Sequence, residues 1–135
     1  PRQVGEGAIR EMIRLALADE PVILYVGGTQ IRSWCYVDDF VDGILLCLGT
    51  ESAKGQVFNL GNPLGTSANI NLVATIIRLT NSKSEILHKP HPGPEVEIRV
   101  PSIGRAHDML GFYPKVGLEE GIGRTIAWYR ENLPQ

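Results

Sequence analysis

The sequence predicts an α/β fold with some parallel pairing between its strands. Two observations carry that expectation. Short apolar runs, rich in β-branched and aromatic residues, alternate with longer stretches whose apolar residues recur every three to four positions. The resulting order is α-β-β-α-β-α-β-loop-α-α, with about four short strands and five helices. Strands that alternate with helices pack as mixed layers around one core. A chain of 135 residues is long enough to bury such a core without disulfides or metals, so one domain over residues 1–135 is expected.

The first helix is expected over residues 6–19. Ile9, Met12, Ile13, Ala16 and Leu17 share one face, and Arg10, Glu11 and Arg14 lie opposite. Glu20-Pro21 ends it, because the residue before a proline is pushed out of the helical region. The run Val22–Val26 reads as a strand that stops at Gly27-Gly28. Arg32–Tyr36 alternates loosely and reads as a second strand. Asp38 or Asp39 suits a helix cap, and the helix runs to about Leu48 with Val37, Val41, Ile44, Leu45 and Leu48 as its inward stripe. Gly49 stands where a left-handed terminal residue is wanted.

Gln56–Gly61 reads as a buried-type strand. Ser67 or Asn69 can cap a helix to about Thr80, with Ile70, Val73, Ile76 and Ile77 inward, and Ser84–His88 reads as a strand. Residues 89–101 hold Pro90, Pro92, Pro94 and Pro101, which predicts a loop without regular pairing. A short helix over about Ile103–Leu110 ends at Gly111. The last helix spans about Leu118–Asn132, with Leu118, Ile122, Ile126 and Tyr129 on one face and Glu119 and Glu120 at its positive end.

Composition narrows the function classes. The net charge of −2 opposes a general nucleic-acid binder working through Arg10, Arg14, Arg32 and Arg99, since neutralising phosphates needs a basic face. Cys35 and Cys47 are too few for a disulfide framework and read as reduced thiols. No apolar run approaches the ~20 residues that span a bilayer, and no secretory signal opens the chain, so a cytoplasmic location is expected. The chain opens on Pro1, which fits a piece of a longer protein as well as a free-standing product.

Most catalytic motifs fail. The glycine patterns at Gly5 and Gly121 do not follow a strand and lack the acidic partner of a dinucleotide fingerprint. His88 and His91 have no second ligand pair at fixed spacing, and His107 stands alone, so no metal site is expected. There is no G-x-S-x-G elbow. The residues four after Tyr25, Tyr36, Tyr113 and Tyr129 are Thr29, Phe40, Gly117 and Leu133, so no tyrosine has a lysine at that spacing.

Three segments in register carry a resemblance: YVGGTQIRSWCYVDD (25–39), VFNLGNP (57–63) and LGFYPKVGLEEGI (110–122). The chain resembles the C-terminal half of the extended short-chain dehydrogenases/reductases, the NAD-dependent sugar-nucleotide epimerases, dehydratases and decarboxylases. The likeness is closest to UDP-glucuronate decarboxylases and dTDP-glucose 4,6-dehydratases, and Pro1-Arg2-Gln3 looks like the end of the family's Tyr-Gly-Pro-Arg segment. The resemblance implies a Rossmann-like fold without its N-terminal nucleotide-binding half. It also implies that NAD belongs to the complete enzyme and is not bound by this chain alone. The Gly-rich phosphate loop and the Tyr-x-x-x-Lys pair are absent, so no catalytic residue is assigned here.

By the same resemblance Arg32, of the Gln-x-Arg motif, and Arg99 contact the diphosphate of a UDP- or dTDP-sugar. An arginine fork suits phosphate oxygens and stays charged. The segment Pro21–Tyr25 lies near the base in the family, which makes Tyr25 a candidate contact. Asn59 turns its strand toward the cofactor side. Tyr36 reads either as a ligand contact or as core packing, Arg32 as a phosphate clamp or a structural charge, and Asp39 as a helix cap more than a catalyst.

The sequence also departs from the family. The carboxylate of its Gly-Asp-Gly turn is missing at Val26-Gly27-Gly28, two of its aspartates are Ser33 and Ser102, one lysine is Arg105, and its Leu-Gly-Trp is Leu110-Gly111-Phe112. The expected function is the sugar-nucleotide-binding portion of such an enzyme, inactive alone. The alternative is a stand-alone module that self-associates through the face the missing half would cover.

Overall fold

The computed structural model describes residues 7–90, 93 and 96–132. In chain order the elements are α1 (Ala8–Leu17), β1 (Val22–Tyr25), β2 (Ile31–Ser33), α2 (Val37–Gly49), β3 (Thr66–Ala68), α3 (Asn69–Thr80), β4 (Ile86–Lys89), β5 (Ile98–Arg99), α4 (Gly104–Leu110) and α5 (Leu118–Asn132). The likeness at Pro1–Gln3, Gly5 and the first expected helical residue, and His91, Pro92 and Pro94 of the proline-rich loop, lie outside the described residues.

The chain divides into two compact units. The first holds residues 1–30, 68–97 and 122–135, and the second holds residues 31–67 and 98–121. In the first, β1 and β4 run parallel, with Val22 facing Ile86 and Tyr25 facing Lys89. Met12, Ile13 and Ala16 of α1 and Leu72, Val73 and Ile76 of α3 are buried, as are Ile122 and Ile126 of α5. The apolar stripes expected for these helices are therefore their core faces. Asn81 at φ 57° closes α3. Asp19 joins the loops after α1 and α3: its Oδ1 accepts from Lys83 N at 2.7 Å and Ser82 Oγ at 2.8 Å.

The second unit contains a three-stranded sheet in the order β3-β2-β5, with β2 and β5 parallel. Its core gathers Ala53, Ala106, Leu110 and Phe112, with Leu46, Phe58, Leu60 and Ile103 packed against them. Asn62 is the polar knot of this unit. Its Oδ1 accepts from Leu64 N and Gly65 N at 3.0 and 3.1 Å, its Nδ2 donates to Val116 O, and its carbonyl accepts from Ser33 Oγ. Gly111, at φ 66°, ends α4 as expected.

Several expectations are corrected here. Gln56–Gly61 is not a strand: its neighbours Ser102 and Arg105 meet it through side-chain bonds, Asn59 Nδ2 donating to Ser102 O and Arg105 Nη1 to Val57 O, and among the described residues it joins no main-chain ladder. Ile98–Arg99, expected as loop, does find a partner strand and pairs with it, as does the unforeseen β3. The second strand ends at Ser33, short of Tyr36.

Neither Asp38 nor Asp39 caps α2. The helix starts at Val37, Tyr36 is its cap residue, and no side chain bonds there. Asp39 is buried and accepts from Lys115 N at 3.0 Å and Val116 N at 2.9 Å. Likewise Ala68, not Ser67 or Asn69, precedes α3, and Gly49 is the last residue within α2 instead of a left-handed terminus. The largest correction concerns the stripe of α2. Val37, Val41, Ile44, Leu45 and Leu48 are 39 to 79% exposed, and the buried positions are Asp39 and Gly43. Gly43 is needed there, since a Cβ would stand 2.9 Å from Phe112 and 3.0 Å from Leu60.

Candidate functional site

In the second unit the two candidate arginines are register partners. Ile31 pairs with Ile98 and Arg32 with Arg99 along β2 and β5. Facing residues of neighbouring strands point to the same side of the sheet, so the two arginine side chains leave the same face. Arg32 is half-buried, and its Nη1 donates to Ile31 O at 2.9 Å. Arg99 is exposed on β5, which ends the sheet order. Like charges at facing strand positions repel, and an anion with two acceptor groups relieves that repulsion by binding both.

The other candidates of this unit fall elsewhere. Tyr36 is half-buried, and its ring lies 3.2 Å from where a Cβ on Gly121 would stand. It packs on the first turn of α5, so its position matches the packing alternative. Asn59 is exposed in the extended segment before Gly61, with Nδ2 donating to Ser102 O at 3.3 Å. Cys35 and Cys47 are free thiols. Burial, and next the Asp39 carboxylate, push the Cys35 thiol above its ordinary value, which makes it a poor nucleophile. Among the described residues, no cluster of three His, Cys, Asp or Glu side chains could hold a metal ion.

The first unit carries a cavity of about 870 Å³ between α1, β1 and the start of α3. Tyr25, Ile23, Gln30 and Asn69 are among its lining residues. Val22 N donates to Glu85 O on the β4 side. By the alternation of a parallel ladder, Ile23 turns its N–H and C=O to the opposite edge, where no described strand pairs with β1. The Asn69 Oδ1 is enclosed without a hydrogen-bond partner, an arrangement that costs free energy unless a donor arrives. At the cavity rim Arg14 engages Glu11 at 2.8 Å and Glu20 at 3.3 Å. The Arg14 hydrogen bond holds the Glu11 carboxyl below its ordinary value.

Sequence reasoning named both arginines and Tyr25 as candidates. It did not single out Ile23, whose contribution is main chain and leaves no residue-type signal. Asn69 was weighed only as a cap, and Gln30 only as a letter of the Gln-x-Arg motif.

Residues 1–61 match the family model described as "NAD dependent epimerase/dehydratase family". The chain is 32% identical over 131 residues to a UDP-N-acetyl-alpha-D-glucosaminuronate decarboxylase of Bacillus cytotoxicus, covering 93% of this chain and 40% of that protein. It is 32% identical to the dTDP-D-glucose 4,6-dehydratase of Mus musculus, covering 98% of this chain and 39% of that one. The chain belongs to the NAD-dependent epimerase/dehydratase family.

Among solved structures it is similar to a UDP-glucose 4-epimerase of Thermotoga maritima in complex with UDP-glucose. The TM-score is 0.89 and the identity 27%, over 98% of this chain and 42% of that one. The chain thus spans about 40% of the length of the curated family members it matches. No helix among the described residues is long and apolar enough to cross a membrane.

Proposed function

We propose that this chain is the sugar-nucleotide-binding portion of an NAD-dependent epimerase, dehydratase or decarboxylase, and that it turns over nothing by itself. The observation that carries the reading is the register pairing of Arg32 with Arg99. It sets two planar, permanently charged forks on one side of a short sheet, the arrangement a diphosphate accepts in pairs of hydrogen bonds. The names of the relatives supply the ligand class, UDP- or dTDP-linked sugars.

The cavity of the first unit supports the same class. A uracil or thymine ring carries adjoining N–H and C=O groups, which pair with the open main-chain edge at Ile23 as a neighbouring strand would. Tyr25 offers ring surface on the same strand, and Asn69 an acceptor. In this reading NAD is held by a part of the family's length outside this match. Gly121, of the second glycine pattern, is buried in α5 against the Tyr36 ring, a packing position and not an open phosphate loop.

Calorimetry separates the two contributions, with pyrophosphate probing the arginines, uridine probing the cavity, and UDP-glucose probing both. UDP-glucose is expected to bind wild type, with affinity falling roughly 10- to 150-fold in Arg32→Ala, the cost of losing charged hydrogen bonds. If none of the three ligands binds at roughly millimolar concentration, the weak end of specific affinity, the reading is wrong.

A second reading rests on the uncovered apolar face of α2, where Leu45 and Leu48 are 59% and 79% exposed. Apolar surface left open by a lone chain favours self-association. Light scattering that finds only monomer at high concentration removes it.

A further inference from the structure

We infer that Gln30 is the positioning residue of the first unit's cavity, an inference that rests on the nucleotide reading above. Gln30 is only 5% exposed. Its Nε2 donates to Tyr25 O at 3.2 Å, and its own carbonyl accepts from Asn69 N at 3.0 Å. One side chain and one peptide group thereby tie the last residue of β1 to the first residue of α3.

Between Tyr25 and Gln30 the chain turns through Gly27 and Gly28, at φ 68° and 73°. Glycines leave such a turn many alternatives, and the Gln30 bond selects one of them. A carbonyl oxygen can be met only by a donor, so the amide nitrogen must face Tyr25. Both residues that Gln30 holds line the cavity, and one of them carries the enclosed Asn69 oxygen. Gln30 therefore sets where the end of the β1 edge and the Asn69 acceptor stand relative to a bound heterocycle.

The test uses two substitutions in the 135-residue chain. Gln30→Met keeps the volume and removes the donor. Gln30→Glu keeps the shape, but its side chain donates only when protonated, in the acidic range that burial extends upward. UDP-glucose and pyrophosphate are titrated into each protein at about pH 5 and about pH 8, either side of that range, with thermal melts to check folding.

Gln30→Met is expected to bind UDP-glucose about tenfold more weakly at both pH values, the loss of one buried hydrogen bond. Gln30→Glu should stay near wild type at the lower pH and lose about tenfold at the higher. Pyrophosphate affinity should be alike in all three. If both variants bind UDP-glucose as wild type does, Gln30 positions nothing. If Gln30→Glu is weakened equally at both pH values, or pyrophosphate binding falls as well, the role is merely structural and the inference is overturned. If Gln30→Glu melts at the higher pH, Gln30→Met decides. If wild type binds pyrophosphate but neither uridine nor UDP-glucose, the cavity reading fails and takes this inference with it.

Discussion

At the scale of single residues, Arg99 illustrates a conflict between stability and binding. Its register position beside Arg32 places two cations on one side of a small sheet. Removing one should relieve repulsion of a few tenths to about 1 kcal/mol. Arg99→Ala is therefore expected to raise the melting temperature of the ligand-free chain slightly while weakening UDP-glucose binding, seen by melts and calorimetry on the same samples. Asp39 is the opposite case. The residue is 3% exposed and its carboxylate accepts from two main-chain N–H groups, so Asp39→Ala leaves the buried Val116 N–H and the part-buried Lys115 N–H without their acceptor and should cost about 3 kcal/mol in denaturant unfolding. Asp39→Asn keeps one acceptor oxygen and should cost less. The arginines could be named as candidates because the resemblance that points to them is carried by short segments of sequence. The role of Asp39 was not, since its partners lie 76 and 77 positions away.

At the scale of elements, α2 shows what periodicity can and cannot say. The apolar stripe correctly marks a helix, yet that stripe faces outward and the helix meets its unit's core through Gly43, Leu46 and Cys47. Two substitutions separate these faces. Gly43→Ala should cost about 1–3 kcal/mol by overpacking against Phe112 and Leu60, whereas Leu48→Lys should change stability by less than about 0.5 kcal/mol, both measured by chemical denaturation.

The junction of the α1 and α3 loops predicts a pH effect. Hydrogen bonds from Lys83 N, and next Ser82 Oγ, hold the folded Asp19 carboxyl below its ordinary value of 3.8. A group depressed on folding contributes stability above its unfolded pKa and loses it as pH falls through the folded one. Asp19→Asn retains the acceptor and tolerates the left-handed φ of 54°. It should therefore make acid destabilisation below about pH 4 shallower, as followed by melting temperature against pH.

At the scale of the whole molecule, the two units differ in how their apolar surface is used. In the first, helix stripes are core faces. In the second, the α2 stripe and Val57, itself 79% exposed, stay uncovered. The chain spans about 40% of its relatives' length, and such surface is what a further layer of structure would bury. Replacing Ile44 and Leu48 together with lysine should abolish any concentration-dependent association seen by light scattering, while leaving UDP-glucose affinity unchanged.

By itself the sequence determined the helices and most of their ends, three of the strands, the class of fold and the family, and it named the pair of arginines as candidates. These follow from local periodicity, from glycines at helix ends such as Gly111, and from motifs whose letters are near neighbours. Only the tertiary structure decided that Gln56–Gly61 is not a strand while Thr66–Ala68 and Ile98–Arg99 are, which face of α2 is buried, that Arg32 and Arg99 stand in register, and that Gln30 ties β1 to α3. A ladder, a covered face and a cavity each need a second segment to complete them, and the nature of that segment is not written in the residues it meets.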